Sequence, residues 1–170
     1  MGRSFRVVVL VLLVWSFAPA EELLDLECEA ESRVYFSNPT TLDTIVAEIR
    51  GGRCEDAIFR VFVTNSAGDR IFEHESPAAL LIPCRWVNED ATRARRAYTR
   101  IVSTAVSLQR SDGLMCKDAD NRFCSNPPGT KHLLEDHVLV MCFNLSNDAR
   151  ACWAYDPEKR EVVNVHTFAA

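Results

Sequence analysis

The chain has 170 residues, 48% of them hydrophobic and 25% charged, with 24 acidic side chains against 19 basic ones and a net charge of -5 at pH 7. That length is enough for one domain whose folding removes most of its apolar surface from water. The acidic balance argues against general binding to nucleic acid or anionic lipid, which relies on clustered cations, and suits a basic protein partner better.

The first twenty residues read as a cleavable secretory signal peptide. MGRSFR supplies two arginines, VVVLVLLVWSF an uninterrupted apolar run over residues 7–17, and APA a small-residue cleavage site before Glu21. The apolar run is roughly half of the ~20 residues that a spanning helix needs, so stable membrane insertion is not expected. The expected mature protein is therefore one secreted or periplasmic domain, residues 21–170. Loss of Arg3 and Arg6 leaves 17 of the 19 basic residues against 24 acids, a net charge of -7.

Seven cysteines, Cys28, Cys54, Cys84, Cys116, Cys124, Cys142 and Cys152, all fall after the leader. In an exported chain they read as disulfide staples. Proximity along the chain pairs Cys116 with Cys124, Cys142 with Cys152 and Cys28 with Cys54, and leaves Cys84 free. No CxxC occurs, so neither a thioredoxin-like redox pair nor a zinc knuckle is supported.

NPTTLDTIVAEIRGG reads as a short helix. Thr40 or Thr41 can cap it, Leu42, Ile45, Val46 and Ile49 share one face, and Gly51 and Gly52 stop it. AIFRVFV and RIFEH, separated by TNSAGD, form a predicted hairpin. A longer helix is expected from Asn88 to Gln109, with Ala94, Tyr98, Ile101, Ala105 and Leu108 on the core side. Its other side carries Arg93, Arg96 and Arg100, a stripe that can contact an anionic partner or pair with its own acids, Glu89 with Arg93.

The stretch from Arg110 to Thr130 is rich in turn formers and reads as an irregular loop pinned by Cys116 and Cys124, exposing Asp118 and Asp120. KHLLEDH, residues 131–137, is expected as a polar lead-in to a strand. On a strand Glu135 and His137 share a face, whereas His132 and His137 do not converge. Three strands then close the chain, HVLVMCF, ACWAY and EVVNVHTF, with DPEK as the turn between the last two. Trp153 and Tyr155 share one strand face, where aromatics serve as core or, at a sheet rim, as binding anchors. The predicted fold is α+β, an antiparallel sheet with helices packed on one face and disulfides stapling it.

Catalytic signatures are absent from the sequence. There is no GxSxG elbow, no GxxxxGK phosphate loop and no HExxH, and the stretch from Asp118 has Arg122 and Cys124 where a calcium loop needs ligands. The expected function is an extracytoplasmic, non-catalytic protein-binding module of inhibitor or immunity type, without metal or cofactor. Its binding residues are drawn from Arg93, Arg96, Arg100, Asp118, Asp120, Trp153 and Tyr155. The alternative is a small hydrolase with His74 or His137 as base, and Cys84 or a serine as nucleophile.

Overall fold

In a computed structural model, the described residues are 27–82, 84, 91–112, 114, 116 and 124–169; the leader, Asn88, Glu89, Asp118 and Asp120 lie outside them. The described residues build two antiparallel sheets. The first is a meander, β1 (Glu27–Val34), β2 (Asp43–Arg50), β3 (Ile58–Thr64) and β4 (Arg70–Pro77), paired in chain order. Along β3 the period of two is plain. Phe59, Val61 and Val63 are fully buried, and Ile58, Arg60, Phe62 and Thr64 point the other way. The β3–β4 hairpin closes as its turn chemistry demands. Asn65 Oδ1 accepts the N–H groups of Ala67 and Asp69, and Gly68 takes the left-handed φ of 91°.

The segment expected as the first helix is β2. Its Ile45, Ala47 and Ile49 alternate into the core, a period of two that the helical spacing of Ile45, Val46 and Ile49 had masked. Thr44, Ile45, Val46 and Ile49 are β-branched and suit a pleated surface, and β2 pairs with β1 on one side and β3 on the other. Only tertiary pairing decides between the two patterns here. Gly51 then does something other than stop a helix. At φ 134° it passes so close to Ala57 that a Cβ would sit 2.8 Å from that residue's Cα.

The long helix, α1 (Ala91–Ala105), buries Ala94, Tyr98 and Val102 and exposes Arg93, Arg96, Arg100 and Ser103. It packs mainly over β1 and β2 on the inner face of the first sheet. Its end falls short of the expected one, because Val106–Arg110 leaves the helix as β5 and pairs with Leu139–Phe143. Leu108 thus reaches the core from a strand.

The second sheet is ordered β5, β7 (Leu139–Ser146), β8 (Ala149–Asp156), β9 (Glu161–Ala169) and β6 (Cys124–Ser125). One of its faces meets the first sheet. There Phe143 stacks on Trp153 with centroids 4.2 Å apart and planes 8° from parallel, and Phe72 and His74 of β4 lie against both rings. On the opposite face Val140, Cys142, Cys152, Ala154 and Val165 are covered by Leu133 and Leu134. Those two leucines belong to a short helix, α2 (Lys131–Glu135), where a polar lead-in to a strand was expected. Burial of two adjacent leucines in this second core holds the turn of helix, and His137, at φ 54°, ends it.

Three cysteine pairs lie at disulfide distance, Cys54 with Cys84, Cys116 with Cys124 and Cys142 with Cys152; Cys28 is free and buried. The expected Cys28–Cys54 pair is thereby corrected. A closed loop of 30 residues rather than 26 costs only about 0.1 kcal/mol more in chain entropy, so sequence separation cannot choose between them. Position does. Cys28 faces α1, its Sγ 3.9 Å from the carbonyl of Arg95 and 3.7 Å from Thr99 Oγ1. Meanwhile the Ala78 N–H donates to the carbonyl of Ala57, drawing the chain after β4 back over the β2–β3 connection that holds Cys54.

The architecture is thus mostly β, two sheets facing each other with few helices, rather than a single sheet with helices on one face. Its extra strands come from four places where local pattern was ambiguous or silent: β1, β2, β5 and the two-residue β6, which lies within the stretch expected as an irregular loop. No helix among the described residues is long and apolar enough to cross a membrane.

Candidate functional site

Among the described residues, one broad surface is left open by this packing, the outer face of the first sheet, with α1 and the second sheet both on the other side. Register places its side chains in rows. Glu29, Glu48, Arg60 and Glu75 form one row across the four strands, and Glu31, Val46, Phe62 and Glu73 the next. The first row puts like charges directly opposite each other at Glu29 and Glu48, which is unfavourable unless cations intervene.

Two arginines supply them. Arg50 reaches Glu27 and Glu48 at 2.9 Å each, and Arg60 lies 3.3 Å from both Glu48 and Glu73 and hydrogen-bonds Glu75. The hydrogen bond from Arg60 to Glu75 holds its guanidinium above its ordinary pKa, against the opposing effect of desolvation. Glu48 is 1% exposed, although it sits on the outer face. The long side chains around it shield it from water, a lattice and not a single bridge. Arg70 completes the far edge, 3.2 Å from Glu73 and stacked 4.0 Å over the Phe62 ring.

Glu27, Glu29, Glu31, Glu73 and Glu75 are exposed around this lattice, and Glu29 makes no ion pair among the described residues. Ligand atoms of Glu27, Glu29 and Glu48 lie within 4.8 Å of one another. Arg50 and Arg60 already neutralise that group. The sequence signal for this surface was a charge in the middle of each apolar strand, Glu48 in DTIVAEIR and Arg60 in IFRVFVT. Without β2 as a strand it could not be assembled.

Of the expected binding residues, Asp118 and Asp120 lie outside the described residues, and the described ones do not converge. Arg93, Arg96 and Arg100 lie on the exposed side of α1, and Arg96 and Arg100 make no ion pair among the described residues. Trp153 and Tyr155 share a face of β8 as expected, but that face is turned to the first sheet, where both pack half-buried against the main core.

The four histidines have separate surroundings. His74 is turned away from Glu73 and Glu75, into the aromatic cluster of Phe143 and Trp153; burial lowers its pKa, and its Nε2 has no hydrogen-bond partner among the described residues. His137 Nδ1 is 2.7 Å from Asp112 Oδ1, not beside Glu135, and both partners are mostly exposed. His132 Nε2 lies 3.8 Å from Asp156 Oδ2. Desolvation raises the Asp156 pKa, but the backbone N–H groups of Lys159 and Glu158 and the Lys159 ammonium outweigh it and hold the carboxyl below its ordinary range. His166 of β9 stands beside the Cys116–Cys124 disulfide, its Nδ1 4.0 and 3.9 Å from the two sulfurs.

No known protein family, curated protein or solved structure matches this chain.

Proposed function

We propose that the protein is a non-catalytic protein-binding module, of inhibitor or immunity type, that engages a basic protein through the outer face of its first sheet. The observation that carries this reading is the arrangement of exposed carboxylates at Glu27, Glu29, Glu31, Glu73 and Glu75 around the arginine-braced Glu48. Such a face is rigid, because its side chains are held in register by four paired strands. Its acids offer charge-assisted hydrogen bonds to lysine or arginine on a partner and steer a cationic surface toward it.

Native mass spectrometry of the protein isolated gently from its source tests this. The expected result is a stoichiometric basic protein that is lost from the Glu29→Lys/Glu31→Lys variant and kept by Arg96→Glu/Arg100→Glu. Retention by the first variant, or a bare monomer, would overturn the reading.

A hydrolase reading draws support only from the His137–Asp112 pair, whose short contact orients an imidazole as general bases require. Among the described residues no serine or cysteine hydrogen-bonds to His137. Full activity of His137→Gln on any identified substrate would end it.

A further inference from the structure

The Cys116–Cys124 disulfide lies against a histidine in a way that the other two disulfides do not. The sulfurs of Cys116 and Cys124 and Nδ1 of His166 all lie within 4.8 Å of one another, and each residue is half-buried. Asn126 then orients the ring. Its Nδ2 donates to the carbonyl of Val165 at 2.9 Å and of Leu114 at 3.2 Å, which fixes that atom as the amide nitrogen. The same nitrogen lies 3.2 Å from Nδ1 of His166 and so fixes the place of the ring beside the two sulfurs. Oδ1 of the same amide accepts the Cys116 N–H and ties the cysteine to the bracket.

We propose that reduction of the Cys116–Cys124 disulfide uncovers a binding site for a zinc-class divalent ion, made by the thiolates of Cys116 and Cys124 and Nδ1 of His166. With Zn–S bonds of ~2.3 Å and Zn–N bonds of ~2.05 Å, tetrahedral geometry sets ligand sulfur and nitrogen about 3.5 Å apart and the two sulfurs about 3.8 Å apart. The sulfur–nitrogen spacings, 4.0 and 3.9 Å, are already close to this. The sulfurs reach theirs by side-chain rotation once their bond is broken, from Cα atoms 5.8 Å apart. In the oxidised protein the sulfurs have no charge to offer, and the site is shut. Two thiolates and one imidazole leave a fourth position for water or a partner's side chain.

The gate is a two-electron step. An external dithiol gives up two electrons and closes to its own disulfide, and its two protons end on Cys116 and Cys124 as thiols. The divalent ion then displaces both protons. The bridge is the one of the three with both cysteines half-buried: Cys142 and Cys152 are at most 2% exposed, and the Cys54–Cys84 bridge has Cys54 fully buried and only Cys84 half-buried.

Limiting anaerobic dithiothreitol, removed by desalting, should yield a species that has gained two hydrogens, with peptide mapping placing both new thiols at Cys116 and Cys124. Native mass spectrometry with Zn2+ should show one ion more on that species than on the oxidised protein. Co2+ in place of Zn2+ should give thiolate charge-transfer absorption. His166→Gln should weaken the extra ion at least tenfold, and Cys116→Ser/Cys124→Ser should gain no ion under the same treatment. Opening of another bridge first, no extra ion on the two-hydrogen species, or an extra ion that survives either variant unweakened would overturn the proposal. Circular dichroism of the two-hydrogen species guards against unfolding; loss of its fold on opening this bridge alone would also refute it.

Discussion

Glu29 on β1 faces Glu48 on β2 directly across the sheet, two carboxylates in register with Glu48 almost wholly removed from water. The pairing persists because Arg50 and Arg60 approach Glu48 from its own strand and from β3. Arg60 is the more important of the two for the surface, since it also holds Glu73 and Glu75 of β4. Substitution Arg60→Met should therefore lower stability by about 1–3 kcal/mol, the penalty for leaving a buried carboxylate underpartnered. Glu29→Gln should raise it by a few tenths of a kcal/mol by removing the like charge. Urea denaturation measures both, and a neutral Arg60→Met would refute the lattice.

Trp153 is expected to act as the joint between the two sheets. Its ring stacks on Phe143 and touches Phe72 and His74 of the other sheet. Trp153→Ala should cost about 3 kcal/mol, in the range for truncating a large aromatic in a core. Trp153→Phe should cost about 1 kcal/mol, keeping most of the apolar contact. If the alanine variant were as stable as the parent and merely lost partner binding, Trp153 would be an anchor instead.

Disulfide mapping gives a sharp check on chain placement. Peptides carrying Cys54 and Cys84 should co-elute as one linked species, and Cys28 should be alkylated only after unfolding. Cys54→Ser and Cys84→Ser should each lower the urea midpoint by an equivalent of about 2–4 kcal/mol. Cys28→Ala, which removes one buried sulfur and no crosslink, should cost about 1 kcal/mol. Equal effects for Cys28→Ala and Cys54→Ser would favour the other pairing.

Acidity should weaken the fold through its buried histidines. Burial lowers the folded-state pKa of His74 and of His166 below the ordinary ~6.5 of an unfolded chain. Between those values the unfolded chain binds protons that the folded one does not, so stability rises with pH there. It is complete above about pH 6.5 and falls as the pH drops below that value toward the folded pKa. Thermal melts from pH 7.5 to 5 should show this slope. His74→Phe should reduce it without abolishing it, because His166 contributes separately; an unchanged slope would show that His74 is solvated in the native state.

Several elements were legible from local sequence because their physics is local. The β3–β4 hairpin follows from β-branched and aromatic residues flanking an Asn and Gly turn. The stripe of Ala94 and Tyr98 on α1 follows from helical spacing, and DPEK turns between β8 and β9 through Asp156, whose Oδ1 accepts the Glu158 and Lys159 N–H groups. The acidic character of the chain, and its supply of paired cysteines, needed no structure at all.

What tertiary structure alone decided are the matters of partnership. DTIVAEIR satisfies a helical period and a strand period equally, and only β1 and β3 on its two sides make it a strand. Cys54 lies 26 residues from Cys28 and 30 from Cys84, separations too alike in chain entropy to choose between, and the return of the chain past Ala57 selected Cys84. His166 and Asn126, 40 residues apart, meet beside the Cys116–Cys124 disulfide because β9 pairs with β6. Periodicity and turn chemistry are encoded within a few residues. Register between distant strands is set by the burial of the whole core, and it is register that assembled both the charged face and the cysteine–histidine cluster.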